Sequence, residues 1–208
     1  MAYPTVSAPY GLVPINRFDG IPYAGATQQL PIASTYNTAI YNGDVVLVSG
    51  GNIKKSAVTS DSTTDKANNA TYGVFVGVQY VNAQGQTVQA QYYPGNAAAS
   101  SAVAYVVVDP VAEYKVAVTY SGNSTISSTT IAAVGTNAAL IQGTGSTTTG
   151  DSGVSVAAPA SGAGNAAALP VRIVAVVPET ATSTTAFTEV IVKLNNPQIL
   201  STAGNDYV

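Results

Sequence analysis

The sequence predicts an all-β fold, a β-sandwich or barrel-like domain with an extended N-terminal arm. Short apolar runs, several of them alternating with polar residues, are separated by Gly, Asn, Asp and Pro turns along most of the 208 residues. No internal repeat of fixed period is visible, which argues against a solenoid. Short strands spaced in this way are typical of sandwiches and barrels.

The arm is predicted over residues 1–35. Proline fixes φ and lacks a backbone donor, so a proline-spaced stretch forms neither a helix nor a central strand. Its prolines, at nearly even intervals, are Pro4, Pro9, Pro14, Pro22 and Pro31. Its apolar content is too high for a solvated tail, so the arm either lies on another protein surface or wraps over its own domain. The candidate residues for contact with another protein surface or subunit are Tyr3, Tyr10, Leu12, Val13, Ile15, Phe18 and Tyr23.

The β-domain is predicted over residues 36–197, followed by a C-terminal tail at 198–208. Turn residues such as Asn42-Gly43-Asp44 punctuate it, and a hairpin turn is expected at 83–86. A long Ser/Thr/Gly-rich insertion spans about 121–165, with one apolar segment at 131–141 that reads as a strand pair or a short helix. The expected strands are 45–48, 53–58, 72–81, 87–93, 102–108, 114–120, 169–177 and 187–194.

The composition argues against several classes of function. Charged residues make up only 8% and the net charge is −3, so a nucleic-acid partner, which needs a basic patch, is not expected. The absence of Cys and His removes thiolate chemistry and the commonest general base and metal ligand. The apolar runs are too short to cross a bilayer, and the start lacks the pattern of a signal peptide, so no membrane partner is expected.

Two sets of residues deserve weighing as sites. Gly150-Asp151-Ser152-Gly153 matches the nucleophile motif of trypsin-like proteases. That chemistry needs a His to accept the serine proton, and the sequence has none, so a loop turn is the better interpretation. The pairs Asp61/Asp65 and Asp109/Glu113 could serve as acid–base couples or calcium ligands, yet neither has the dense spacing of a calcium loop. We therefore expect no catalytic residue, no metal and no cofactor.

Ten pieces of the chain, taken in order, resemble a known family. They begin with Gly11-Leu12-Val13-Pro14-Ile15, and the pieces are residues 11–15, 20–23, 25–27, 36–46, 73–78, 92–95, 104–110, 114–116, 172–174 and 192–196. Their order and spacing resemble the cement or decoration proteins of tailed phages, including marine and cyanobacterial ones. Family members often carry a doubled Asp before the proline where this chain has Val108-Asp109-Pro110, so no paired-carboxylate role is carried over.

The resemblance implies a non-catalytic structural protein that binds the outer surface of the phage head and stabilises contacts between major capsid protein subunits. The partners it implies are the major capsid protein and further copies of this chain, with a trimer favoured over a dimer. The protein would be made in the host cytoplasm and reside in the virion. The Ser/Thr/Gly-rich composition of this predicted β-protein leaves one alternative, a head fibre or adhesin that binds a host surface glycan.

Overall fold

The computed structural model describes residues 6–56, 71–95, 100–119, 131–158, 169–181, 187–195 and 197. Over these residues the chain forms thirteen strands and one turn of 3-10 helix at Ile131–Ala133. The strands are β1 (Val13–Arg17), β2 (Gln28–Pro31), β3 (Val45–Ser49), β4 (Asn52–Lys55), β5 (Gly73–Val81), β6 (Thr87–Ala90), β7 (Ser100–Val107), β8 (Ala112–Thr119), β9 (Asn137–Ala138), β10 (Leu140–Ile141), β11 (Ser155–Ala157), β12 (Val171–Val176) and β13 (Glu189–Leu194).

The first sheet is nearly closed and barrel-like. Its strand order is β10-β11-β8-β13-β12-β9, and β1 pairs with β8 beside this path. β9 and β10 lie at opposite ends of the path but are separated in the chain only by Ala139, so the two ends of the sheet meet. β11 runs parallel to β8, whereas the other pairs of this sheet are antiparallel.

The second sheet is antiparallel throughout. Its order is β2-β7-β5-β3-β4, with β6 paired to β5. The predicted hairpin turn joins β5 to β6, and the side-chain oxygen of Asn82 accepts hydrogen bonds from the backbone N–H groups of Gln84 and Gln86 at 3.0 and 2.9 Å. A bridge between Ile32 and Ile53 brings the chain after β2 beside β4.

Two apolar cores share one wall. The barrel core contains fully or almost fully buried side chains such as Leu12 and Tyr114, and the second core contains Phe75 and Tyr93. Adjacent residues of three strands face opposite cores, which joins the two sheets into one packed body. Val45, Val74 and Val107 enter the barrel core, while Val46, Phe75 and Val106 enter the second core.

The predicted all-β fold is confirmed. Each of the eight predicted strands overlaps an observed strand, because each is either a run of β-branched residues or an alternating segment. The apolar segment 131–141 forms the 3-10 turn followed by β9 and β10. β11 lies inside the Ser/Thr/Gly-rich insertion, where the sequence indicated no strand.

The described part of the predicted arm lies against its own β-domain. β1 pairs with β8, β2 pairs with β7, and the backbone N–H of Phe187 donates to the carbonyl oxygen of Val6 at 3.1 Å. Both strands contain a proline and occupy sheet edges, where a missing N–H is tolerated. In the part of the chain that the structure describes, no helix is long and apolar enough to cross a membrane.

Candidate contact surface

The predicted contact residues occupy different environments. Tyr3 lies outside the described residues. Leu12 is completely buried in the barrel core, so it is unavailable to a partner and leaves the candidate set. Ile15 and Tyr23 are half-buried, and the hydroxyl of Tyr23 donates to the carbonyl oxygen of Ala26 at 2.7 Å.

An exposed apolar turn follows β1. The N–H of Arg17 donates to the carbonyl oxygen of Ile21 at 3.1 Å, and the N–H of Gly20 donates back to the carbonyl oxygen of Arg17 at 3.0 Å. Gly20 has φ +82°, a conformation that favours glycine and closes the turn. The side chains of Phe18 and Ile21 are 62% and 54% exposed at its tip. We call residues 17–21 the apolar turn.

The apolar turn is held in place from several sides. Arg17 makes ion pairs with Asp19 at 3.1 Å and with Asp109 at 3.0 Å. The contact of its Nε with Asp109 is an ion pair rather than an aligned hydrogen bond. The N–H of Phe18 donates to the carbonyl oxygen of Val111 at 2.8 Å, and the ammonium of Lys193 lies 5.5 Å from the ring centroid of Phe18. The turn therefore presents its apolar side chains in a fixed geometry.

Among the described residues five large apolar side chains are exposed, and three of them lie between residues 13 and 21. They are Val13, Phe18 and Ile21. Ile21 was absent from the sequence-based candidates. Asp19-Gly20 is a common turn pair, so the sequence could have predicted a tight turn that exposes both Phe18 and Ile21.

A second contact fixes the chain just before β1. The hydroxyl of Tyr10 donates to Glu189 Oε1 at 2.5 Å, and Lys115 Nζ lies 3.2 Å from the same oxygen. Lys115 also lies over the Tyr10 ring, 5.8 Å from its centroid. Burial, and then the Glu189 carboxylate, raise the pKa of Tyr10 well above its ordinary value. Tyr10 is thus committed to the chain's own sheet.

The protease-like motif forms a buried structural cluster. Ser152 Oγ donates to Asp44 Oδ1 at 2.6 Å and accepts from the N–H of Val154 at 2.9 Å. Asp44 is fully buried, and its other oxygen contacts Lys55 Nζ at 2.9 Å and accepts from the N–H of Tyr41 at 2.8 Å. Ser152 itself is only 2% exposed. The cluster ties the loop 150–154 to β3 and β4.

Of the two carboxylate pairs considered from the sequence, the structure describes only Asp109 and Glu113. Asp61 and Asp65 lie outside the described residues. Asp109 is paired with Arg17, and its Oδ1 accepts from the N–H of Val111 at 3.0 Å, whereas Glu113 lies on β8. Within the described ranges, no three His, Cys, Asp or Glu side chains lie close enough together to bind a metal.

Comparison with known proteins adds no relative. No protein-family description, curated protein or solved structure matches the chain.

Proposed function

We propose that the protein is a capsid cement or decoration protein that binds the outer surface of a tailed-phage head. The observation that carries this proposal is the apolar turn, whose tip exposes the large apolar side chains of Phe18 and Ile21. Exposed apolar groups gathered in this way, on a rigid support, mark a protein-interaction site.

The rest of the chain supports a structural role. Charged residues make up 8% of the sequence, so little charge must be desolvated when its surfaces are covered. The order and spacing of the ten sequence pieces that resemble the decoration family support the same partner, the major capsid protein. The contacts would add buried surface across subunit joints and stabilise the assembled head.

A reconstitution experiment tests the proposal. Heads of the encoding phage, prepared without this protein, are mixed with the purified chain, and DNA release is followed on heating. We expect bound wild-type protein to raise the release temperature. The double variant Phe18→Ser/Ile21→Ser should bind at least about tenfold more weakly, because two apolar anchors are each worth about 1 kcal/mol or more in an interface.

Ile131→Ser is the matched control, because Ile131 is 83% exposed but lies on the 3-10 turn. It should bind like wild type. Circular dichroism would show that all variants are folded. Equal release temperatures with and without bound protein would contradict the cement role, and unaltered binding of the double variant would contradict the assignment of the apolar turn.

A further inference from the structure

A shallow depression lies on the second sheet. It occupies about 520 Å³ between β5, β6 and β7. Its lining residues carry no charge; they are Gly77, Val78, Gln89, Ala90, Gln91 and Tyr105. In the strand register Gly77 lies opposite Tyr105, and Gln79 lies opposite Gln89.

Neither a positive φ nor a lack of space requires glycine at the floor of this depression. The φ of Gly77 is not positive, and a Cβ there would lie 3.4 Å from the carbonyl oxygen of Ala90 and 3.9 Å from Tyr105 Cδ2. By contrast, a Cβ at Gly73 would lie 2.2 Å from the carbonyl oxygen of Val107. Glycine inside a strand is unfavourable and often marks a bulge or a place where a ligand approaches the backbone, and the register shift between Phe75 and Gly77 puts this glycine beside a bulge.

The polar groups around the floor are already oriented. The hydroxyl of Tyr105 donates to Gln79 Oε1 at 3.2 Å. The amide nitrogen of Gln91 donates to Asp151 Oδ1 at 2.9 Å, which directs the amide and leaves its oxygen able to accept a further bond. Gln89 is exposed beside them. An aromatic ring is thus accompanied by three glutamines, and the amides of two of them, Gln79 and Gln91, are oriented by hydrogen bonds.

We propose that this depression binds one unit of a neutral saccharide. A sugar ring offers a C–H face that packs on an aromatic side chain and adjacent hydroxyls that both donate to and accept from amides. The uncharged lining favours a neutral sugar over an acidic one, and the carboxylate of Asp151 is engaged by Gln91. An open site on a sheet face admits a unit within a longer chain. This inference uses a different surface from the apolar turn and does not depend on the proposed function.

Saturation-transfer difference NMR on the full chain tests it, with maltohexaose, cellohexaose and xylohexaose as probes and a hyaluronan hexasaccharide as the acidic comparison. We expect at least one neutral probe to bind and hyaluronan to bind more weakly. Tyr105→Ala should weaken the affinity by about fivefold to tenfold, the loss of one aromatic contact. Tyr105→Phe should retain most of the affinity, since it keeps the ring.

Gln89→Ala should also weaken binding, because it removes an amide that would bond the sugar hydroxyls. Gln89 is exposed, so its replacement should leave the fold intact. Gln84→Ala is the matched control, an exposed glutamine in the β5–β6 turn outside the depression, and should bind like wild type. Three outcomes would overturn the inference. They are no signal at about 10 mM of any neutral probe, a range that covers weak binding; unchanged affinity in Tyr105→Ala; and self-association of the wild type that Tyr105→Ala abolishes, which would make this face a protein interface.

Discussion

Asp44 shows how this chain accommodates a buried charge. Its carboxylate is completely inaccessible, yet Lys55, the N–H of Tyr41 and the hydroxyl of Ser152 all contact it. A buried carboxylate is tolerated when paired and hydrogen-bonded in this way. Ser152 therefore uses both its donor and its acceptor capacity inside the protein, and the sequence motif around it has a structural explanation.

Two tyrosines of the barrel differ in how their hydroxyls are satisfied. The hydroxyl of Tyr10 is bonded to Glu189, whereas that of Tyr114 is buried without a hydrogen-bond partner. Burial is the main cause that raises the pKa of both side chains above the ordinary value of 10.0. Because the folded state holds these protons more tightly than the unfolded state, their contribution to stability is complete below pH 10.0 and is lost as the pH rises above it.

We expect opposite effects of removing these two hydroxyls. Tyr10→Phe should lower the free energy of unfolding by about 1 kcal/mol, since it breaks a charge-assisted hydrogen bond. Tyr114→Phe should leave stability unchanged or raise it by about 1 kcal/mol, since it removes an unpaired buried polar group. Urea unfolding at pH 7 measures both. Between pH 10 and 11, Tyr114→Phe should lose less stability than wild type; an equal loss would contradict the burial of an unpaired hydroxyl.

The N-terminal segment contributes elements to both sheets. β1 adds to the barrel through β8, and β2 forms an edge of the second sheet through β7. Between the arm and the domain, Gly11 and Gly43 pack backbone to backbone; a Cβ at Gly11 would lie 2.8 Å from Gly43 Cα. Both have positive φ, at +85° and +89°. This close approach directs Leu12 into the barrel core.

We therefore expect the chain to depend on this segment for folding. Leu12→Ala should cost about 2–5 kcal/mol, the range for truncating a buried leucine. Its neighbour Val13 is 38% exposed, and Val13→Ala should cost less than about 1 kcal/mol. Deletion of residues 1–35 should abolish the cooperative thermal transition seen by near-ultraviolet circular dichroism. A deletion variant that unfolds cooperatively near the wild-type temperature would show that the arm is dispensable to the fold.

The sequence predicts the strands well and the faces less well. β13 and the first half of β8 alternate, so their buried residues follow from period two, whereas the last four residues of β8 are all buried. In β5 a register shift between Phe75 and Gly77 changes which residues face which core, and Gly77, a glycine inside a strand, is its one sequence signal. The sequence could not predict that Leu12 is buried and Val13 exposed, because Gly11 interrupts the strand alternation just before them. The glutamines around the depression belong to the β5–β6 hairpin that the sequence predicts, whereas Tyr105 joins them only through the pairing of β5 with β7.

At the scale of the whole molecule, the proposed binding features belong to different sheets. The apolar turn adjoins the barrel-like sheet, and the saccharide depression lies on the second sheet. The shared wall of the two cores makes the sheets one packed body. Because the two features lie on different sheets, a ligand at one of them does not cover the other. The outer side of the barrel also carries half-buried residues of β13, including Ile191 between Lys115 of β8 and Ala175 of β12.

The last prediction concerns assembly of the chain with itself. In β13, Val190, Val192 and Leu194 are buried in the core, whereas Ile191 and Lys193 face outward, as the alternation of this strand predicts. We propose that this outer side contacts further copies of the chain, and that the assembly is a trimer because local threefold positions are numerous on an icosahedral shell and favour closed threefold symmetry.

Sedimentation equilibrium should then give a particle of about three times 20.9 kDa at micromolar concentration. Ile191→Lys should shift the equilibrium toward monomer by about tenfold or more, because its ammonium would be desolvated in the interface directly opposite the like charge of Lys115. Thr87→Lys, on the exposed end of β6, is the matched control for added charge. A dimer would contradict the threefold arrangement but keep self-association, whereas a monomer unaffected by either variant would contradict both.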